Sequence, residues 1–523
     1  MEYKDTIFLP KTTFEMRANL PTKEPKILAE WDKKNIFKKL REKSKGREKF
    51  VLHDGPPYAN GHIHIGTALN KILKDVIVRT QQMSGKDSIY VPGWDCHGLP
   101  IEWKIEEEYR KKGKNKDDVP VVQFRQECRE FAQKWIEIQK KEFRRLGIEG
   151  DWTDPYLTMS NQAESQIVRE LGKFLLDKSL YKGAKPILWS VVEKTALADA
   201  EVEYEEHTSN TIYVKFNITK SLVSEIIGSN IVIWTTTPWT IPGNRAVAYG
   251  KCLQYNLVEI LEVKESSLAK VGDKIIIAKD LTENVLHELG VISNNILKFF
   301  LGEDLKGTEC EHPFKNIGYD FKVKVLEGDF VNLEQGTGIV HIAPGHGLDD
   351  YNLGIKNGID IVQTLEDDGK YNHHAKGFEG EHVYKVDLKI ADKLKELGKL
   401  LHLGTLKHSY PHSWRSKAPL VFRNTPQWFI SMEKKDLRKK ALKSIDDTVF
   451  YPPQGKTRLR SMIETRPDWC VSRQRVWGVP LPLFINKKNG QPLRDIEVIN
   501  RIADVYEKEG SDTWFTSDPK RFL

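Results

Sequence analysis

"GPPYANGHIHIGTALNKILKD", Gly55 to Asp75, sets two prolines, three glycines and two histidines at the entrance of a helix. Ahead of it, "KFVLHD", Lys49 to Asp54, is a short apolar run that reads as a buried strand. Behind it, Leu69, Ile72, Leu73, Val76 and Ile77 recur with the period of one face of an amphipathic helix. Strand, glycine-bearing loop and helix N-terminus form the arrangement that cradles phosphate. Backbone N–H groups and the helix dipole face the anion, and glycine lets it come close. Histidines add donors for charge that develops on a phosphate during transfer. The alternative is an ordinary strand-to-helix connection with surface histidines, and the local pattern leaves both open.

Bulk properties bound the rest. At 523 residues the chain exceeds one core, and two to four domains are expected. Charged residues at 30% and hydrophobic ones at 39% are those of a soluble globular protein. A net charge of +7 permits a nucleic-acid partner without requiring one. The five cysteines lie far apart with no CxxC pair, which speaks for reduced thiols and against a disulfide framework or zinc knuckle. "MEYKDTIFLPK" carries charges and no apolar core, so no signal peptide is expected, and no apolar run has the length of a membrane span. These features together predict a cytoplasmic chain with no membrane partner.

Three textures alternate along the sequence. Residues 46–194, after an N-terminal extension over 1–45, mix short apolar strands with long helices. In "VVQFRQECREFAQKWIEIQKKEF", Phe124, Cys128, Phe131, Trp135 and Ile138 form a stripe that serves to cover a sheet, with no chemistry assigned to it. Residues 195–407 are strand-rich, with runs such as "TIYVKF", "NIVIWTTT", "DKIIIAKD" and "GIVHIAP" separated by turns. Residues 408–523 return to a texture dense in Arg, Trp and Pro. The order predicts an α/β domain interrupted by a β-rich insertion.

"HIHIGT" in its strand–loop–helix setting resembles the HIGH signature of the class I aminoacyl-tRNA synthetases. "YVPGWDCHGLPIEWKIE", "WTTTPWTIPGNRAVA", "GTGIVHIAPGHGLDDY", "HSYPHSWRSKAPL" and "DWCVSRQRVWGVPLPLF" resemble, in this order, the isoleucyl branch of that family, and the likeness extends over essentially the whole chain. The resemblance implies a Rossmann-type parallel-sheet catalytic domain interrupted by an editing domain. Two departures stand out. Thr67 replaces the usual fourth histidine, keeping a hydroxyl but no capacity for charge. The sequence also stops at Leu523, before the family's second ATP motif, lysine-rich loop and anticodon-binding domain, so the resemblance implies the N-terminal part of a synthetase.

What the family implies can be placed residue by residue. Pro57, Asn60, Gly61, His64, Gly66 and Thr67 correspond to ATP-binding positions, with His64, Gly66 and Thr67 nearest the chemistry. Glycine at 66 is expected because a Cβ would stand between backbone and ATP. Gly55, Pro56, Asp95 and Trp514 correspond to the isoleucine pocket, Asp95 taking the ammonium. A turn-forming aspartate and a core tryptophan are the alternatives for the last two. The implied partners are isoleucine, ATP with Mg²⁺, and tRNA(Ile), bound by a monomer.

The insertion answers an energetic problem. Valine lacks one methylene of isoleucine, a difference worth roughly 1–3 kcal/mol, and the isoleucyl enzymes are the standard worked case of that limit. A second site that admits valine and excludes isoleucine removes the error by hydrolysis. Thr235, Thr236, Thr237, Thr240, Asn244, His341 and Asp350 correspond to it, Asp350 taking the ammonium of the misattached amino acid. Read alone, "TTT" is a β-branched strand with one polar face and His341 a core histidine. Some relatives hold zinc near a "HCWRC"-like stretch, but the matching Ser413 and Ser416 are not zinc ligands, so no metal of the chain's own is expected. Two functions follow: part of an ATP-dependent isoleucine–tRNA ligase with editing, or an editing hydrolase or tRNA-binding remnant without ligase activity.

Overall fold

The computed structural model describes residues 2–8, 12, 13 and 16–523. It is a mixed α/β structure of two compact units, Met1–Leu176 with Arg475–Leu523, and Asp177–Gln474. In the first unit the strand pairing is parallel. β1 (Lys49–Val51) pairs with β2 (Asp87–Ile89), and β3 (Gly93–Trp94) pairs with β4 (Tyr156–Leu157). Helices connect the parallel strands, as a parallel ladder requires. They include Ile65–Met83 and Val121–Arg145. Gly98, at φ +78°, supplies the left-handed turn that starts the helix Leu99–Lys111 immediately after β3 and Asp95.

Two sequence expectations change here. β1 is an edge strand with Val51 80% exposed rather than buried. The helix Ile65–Met83 forms, but its apolar stripe is open: Leu69 is 58% exposed, and the buried positions are Lys71 and Val78. On Val121–Arg145 the buried stripe centres on Phe124, Cys128, Ala132, Ile136, Gln139 and Phe143, with Phe131, Trp135 and Ile138 at its margin. The N-terminal segment is tied in as well. Arg41 donates to Asp87 at 2.7 Å and to the Ser88 carbonyl at 2.9 Å, fastening the helix Ile36–Ser44 to β2.

The second unit is β-rich. β5 (Leu180–Ser190), β6 (Thr195–Ala196), β17 (Val421–Ile430) and β18 (Trp469–Cys470) form an antiparallel sheet in the order β18-β17-β5-β6. The larger sheet is mixed, and its spine is β7 (Val202–Lys220). Along one direction from β7 come β8 (Asn230–Thr235), β11 (Lys274–Ala278), β10 (Gln254–Val263) and β12 (Val291–Leu301). Along the other come β13 (Glu309–Glu311), β14 (Lys322–Glu327), β9 (Ala246–Tyr249) and β15 (Ile339–Ile342). β16 (Leu400–Ser413) pairs with the first part of β7 from Val202 to Val214. The core packs Ile212, Val214, Phe216, Ile231, Ile233, Val258 and Ile276 at 0% exposure. Composition set the boundaries of the insertion at 195 and 407. The compact unit runs wider, because β5 pairs with β17 along its full length and both belong with the β-rich body.

Close packing in the first unit gives a stability prediction. The helix Asn161–Leu176 meets Ile496–Glu509 at Gly172, where an added Cβ would lie 2.5 Å from Ile499 Cγ2. Gly172→Ala gains at most about 1 kcal/mol in helix propensity and loses roughly 1–3 kcal/mol to overpacking. A lower urea midpoint at an unchanged m-value is expected.

Candidate functional site

The loop Gly55–His64 is held in place from behind. Asp95 donates its N–H to the Pro57 carbonyl at 2.9 Å and accepts the Ala59 N–H on its carbonyl at 3.0 Å. Gln139, 3% exposed, donates to the carbonyls of Tyr58 at 3.0 Å and Gly61 at 2.7 Å, while its oxygen accepts from Trp94 Nε1 at 2.9 Å. One turn on, Glu142 accepts the Ile63 N–H at 3.0 Å and bonds His62. The helix to which the sequence assigned only cover is therefore the strut of the loop. Asp54, at the loop entrance, accepts from Lys71, Lys74 and Tyr90. Burial alone would raise its carboxyl, but the two lysines hold it below the usual range.

His64 caps the helix Ile65–Met83. Its Nδ1 accepts from the amides of Gly66 at 3.1 Å and Thr67 at 3.4 Å. Two amides expected to stand free for phosphate are thus engaged by the imidazole. With Nδ1 an acceptor, the ring proton sits on Nε2, and the residue is exposed, so Nε2–H is the donor left for a ligand. The close approach at Gly66 is that of this ring: a Cβ there would lie 3.0 Å from His64 Cε1. Asn60 donates to the Pro100 carbonyl at 3.4 Å. Gly55 and Gly61 have open space where a side chain would stand.

Pro56, Gly93, Tyr156 and Thr158 line a cavity of about 570 Å³ together with His53 and Asp54. Asp95 lies partly buried beside these residues in sequence. Burial raises its carboxyl, and the His97 amide at 3.3 Å and the His97 imidazole oppose the shift. His97 Nε2 lies 3.1 Å from Glu164 Oε1, whose other oxygen accepts the Ser511 N–H at 3.1 Å. Trp477, fully buried, donates to the Cys96 carbonyl at 2.6 Å and sets its ring at 5.0 Å from His97. The sequence assigns no role to Glu164, or to Trp477 within "DWCVSRQRVWGVPLPLF", and nothing in their spacing ties them to Asp95. Trp514 packs on Phe484 and Phe522 in a cluster with Val168 and Tyr506, and its backbone N–H is donated to the carbonyl of Ser511 at 3.1 Å.

In the second unit, residues a hundred positions apart converge. Asn244 Nδ2 donates to the Ala246 carbonyl at 2.8 Å and lies 2.7 Å from His341 Nδ1, which must therefore accept. The ring proton is on Nε2 and is donated to Thr240 Oγ1 at 2.8 Å. Thr240 in turn donates to the Thr237 carbonyl at 2.8 Å, and Thr237 Oγ1 lies 3.0 Å from Thr235 Oγ1. Thr236, half-buried, lies outside this hydrogen-bonded chain. Burial pushes His341 down to about 3 and holds it neutral. Asp350, in the first turn of the helix Leu348–Lys356, accepts the Ala343 N–H at 2.7 Å, and burial pushes its carboxyl up to about 7. Gly347 makes room for it, since a Cβ there would lie 3.0 Å from the Asp350 carboxyl carbon. Gly243, ending the threonine turn, stands against Ala343 and the His346 ring.

Ser413 donates to the buried Glu193 carboxylate at 2.7 Å, and the Ser416 amide reaches the same oxygen at 3.1 Å. Among the described residues no group of three or more His, Cys, Asp or Glu has the geometry to hold a metal ion, and no helix is long and apolar enough to cross a membrane.

Residues 26–523 match the model of the class I tRNA synthetases (I, L, M and V). The chain belongs to this family. It is 59% identical to an isoleucine–tRNA ligase of Pelagibacter ubique (strain HTCC1062) over 520 residues, 99% of this chain and 57% of that protein. It is 49% identical over 535 residues to that of Gluconobacter oxydans (strain 621H), 100% of this chain and 56% of the relative. Against the ligase of Brucella abortus biovar 1 (strain 9-941) the figures are 50% over 555 residues, 100% and 57%. The chain thus spans a little over half the length of these curated relatives.

The strut of the loop Gly55–His64 is directly testable. Gln139→Ala leaves the Trp94 N–H and two loop carbonyls without partners, a loss of roughly 1–3 kcal/mol. Faster amide exchange at Ala59 and Ile63, read by hydrogen–deuterium exchange, is expected alongside the lower stability.

Proposed function

We propose that this chain carries the isoleucine-activating half-site and the hydrolytic editing site of an isoleucine–tRNA ligase, acting on isoleucine, ATP with Mg²⁺, and tRNA(Ile). The observation that carries the reading is the convergence of Thr235, Thr237, Thr240, Asn244, His341 and Asp350 in the β-rich unit of a chain so similar to isoleucine–tRNA ligases. In the first unit, the isoleucine carboxylate attacks the α-phosphate in line, so positioning and charge stabilisation dominate. His64 offers Nε2–H to a phosphate oxygen, with Thr67 and Asn60 in support, and Asp95 receives the ammonium of isoleucine against a wall at Pro56. Mg²⁺ arrives on ATP and neutralises its phosphates.

In the second unit, water cleaves the ester between valine and the terminal ribose of the tRNA. Asp350 binds the ammonium of the misattached residue. The threonine hydroxyls face the ribose and the water. His341 acts as a fixed donor that orients Thr240, since both its nitrogens are committed and burial keeps it neutral. The reading without ligase activity keeps this second unit's chemistry and differs in one measurement, isoleucine-dependent ATP–pyrophosphate exchange, which is present in the first reading and absent in the second.

Deacylation is the test. The chain is expected to hydrolyse Val-tRNA(Ile) and spare Ile-tRNA(Ile). Asp350→Ala is expected to lower the rate by about 10²-fold, the scale of a lost buried charge contact, while the unit still folds, at a stability cost of no more than roughly 1–3 kcal/mol for the Ala343 N–H left without its acceptor. Asp350 titrates near 7 and only its ionised form holds an ammonium, so the rate is expected to rise as pH climbs through about 7. Equal hydrolysis of both esters, or a rate indifferent to Asp350→Ala, overturns the assignment.

A further inference from the structure

The threonine turn is held partly from outside itself, with His312 at the Ile241 carbonyl and Arg245 at the Pro242 carbonyl among its ties. Pro238–Gly243 is a six-residue 3₁₀ turn containing Pro238 and Pro242, neither of which has an N–H to donate. Its ties to itself and its flanks include Thr240 N–H to the Thr237 carbonyl at 2.9 Å and Asn244 N–H to the Ile241 carbonyl at 3.0 Å. Trp239, between the two threonines, has its backbone tied from outside. Its N–H is donated to Asp387 Oδ1 at 3.1 Å, and its carbonyl accepts the Tyr371 hydroxyl. Its indole meets the His346 ring edge-on at 5.1 Å, and that imidazole is itself fixed by Thr364 Oγ1 at 2.7 Å and the Phe422 carbonyl at 2.9 Å.

We propose that Asp387, with Tyr371, is a positioning residue for hydrolysis: the pair clamps Trp239 and so sets Thr237 and Thr240 against the ester. This rests on reading the second unit as an editing site. Asp387 opens the helix Asp387–Glu396, and its second oxygen accepts from Asn210 of β7 at 3.4 Å, so the clamp ties the turn to the spine of the sheet. The titratable groups that face it are the phenols of Tyr371 and Tyr410, both raised by burial and uncharged. Lys389 on the same helix pairs with Glu381 at 2.6 Å. Burial pushes the Asp387 carboxyl up to about 6. Below that pH a charge-assisted acceptor becomes a weaker neutral one, and the turn loosens.

The test uses deacylation of Val-tRNA(Ile) by the chain, with hydrogen exchange over residues 234–245 in parallel. Asp387→Ala is expected to lower kcat about tenfold, the scale of one lost hydrogen bond to a charged group, with little change in KM. Asp387→Asn keeps an acceptor for Trp239 and is expected to recover part of that loss. The parent's pH profile should show inflections near 7 and 6, and Asp387→Asn only the upper one. Tyr371→Phe should lower kcat as Asp387→Ala does, and both should speed exchange in the turn. A kcat within twofold of the parent for Asp387→Ala, or a lower inflection that survives in Asp387→Asn, overturns the clamp. A parent chain without deacylase activity overturns the functional reading instead. The exchange data then decide the clamp, since unchanged protection in Asp387→Ala refutes it without substrate.

Discussion

The β-rich unit hangs on one strand. The first part of β7 pairs with β16 alone, the last part with β8 and β13, and only around Ile212 to Val214 does it have both β16 and β8 beside it. Burial follows that change of partners: residues before Thr208 are mostly open, and Ile212, Val214 and Phe216 are sealed. The register carries chemistry with it. Ile212 stands opposite Thr235, so β8 delivers the threonine turn at the position where β7 enters the core. Two residues earlier, Asn210 reaches Asp387. A slip of one residue would send Thr235 to the other face of the sheet and break the arrangement at both ends.

Burial then sets the charge state of the site. The imidazoles of His312, His341 and His346 are all driven down, and the carboxyls of Asp350 and Asp387 are driven up, because a dry interior penalises whichever form is charged. The bases are therefore neutral at physiological pH. The two acids titrate close to it. Asp54 in the other unit shows the opposite outcome, since two lysines and a phenol meet its carboxylate directly. The same residue type lands on either side of its ordinary value according to whether burial comes with a paired charge.

The first unit shows how the glycine-rich loop Gly55–His64 is fixed without relying on its glycines. Its carbonyls are gripped by Gln139, its amide at Ile63 by Glu142, and its passage beside β3 by the backbone of Asp95. The helix dipole at Ile65 is met by the His64 ring rather than left to solvent.

Much was legible in the sequence because it is local. Glycine and proline in "GPPYANGHIHIG" favour a loop between strand and helix. The 3.6-residue period named the helices, and the alternation of β-branched runs named the strands. The order of motifs carries the family resemblance, and that resemblance, rather than their own spacing, points to Asn244, His341 and the threonines. Only tertiary structure decided which face of each helix is covered. It left Leu69 open and buried Lys71, because burial depends on what packs against an element and not on its own pattern. It alone brought in Gln139, Tyr371 and Asp387, whose roles rest on pairings across tens to more than a hundred residues. A hydrogen bond of that span leaves no periodicity behind; its two ends become visible only when the fold closes the chain between them.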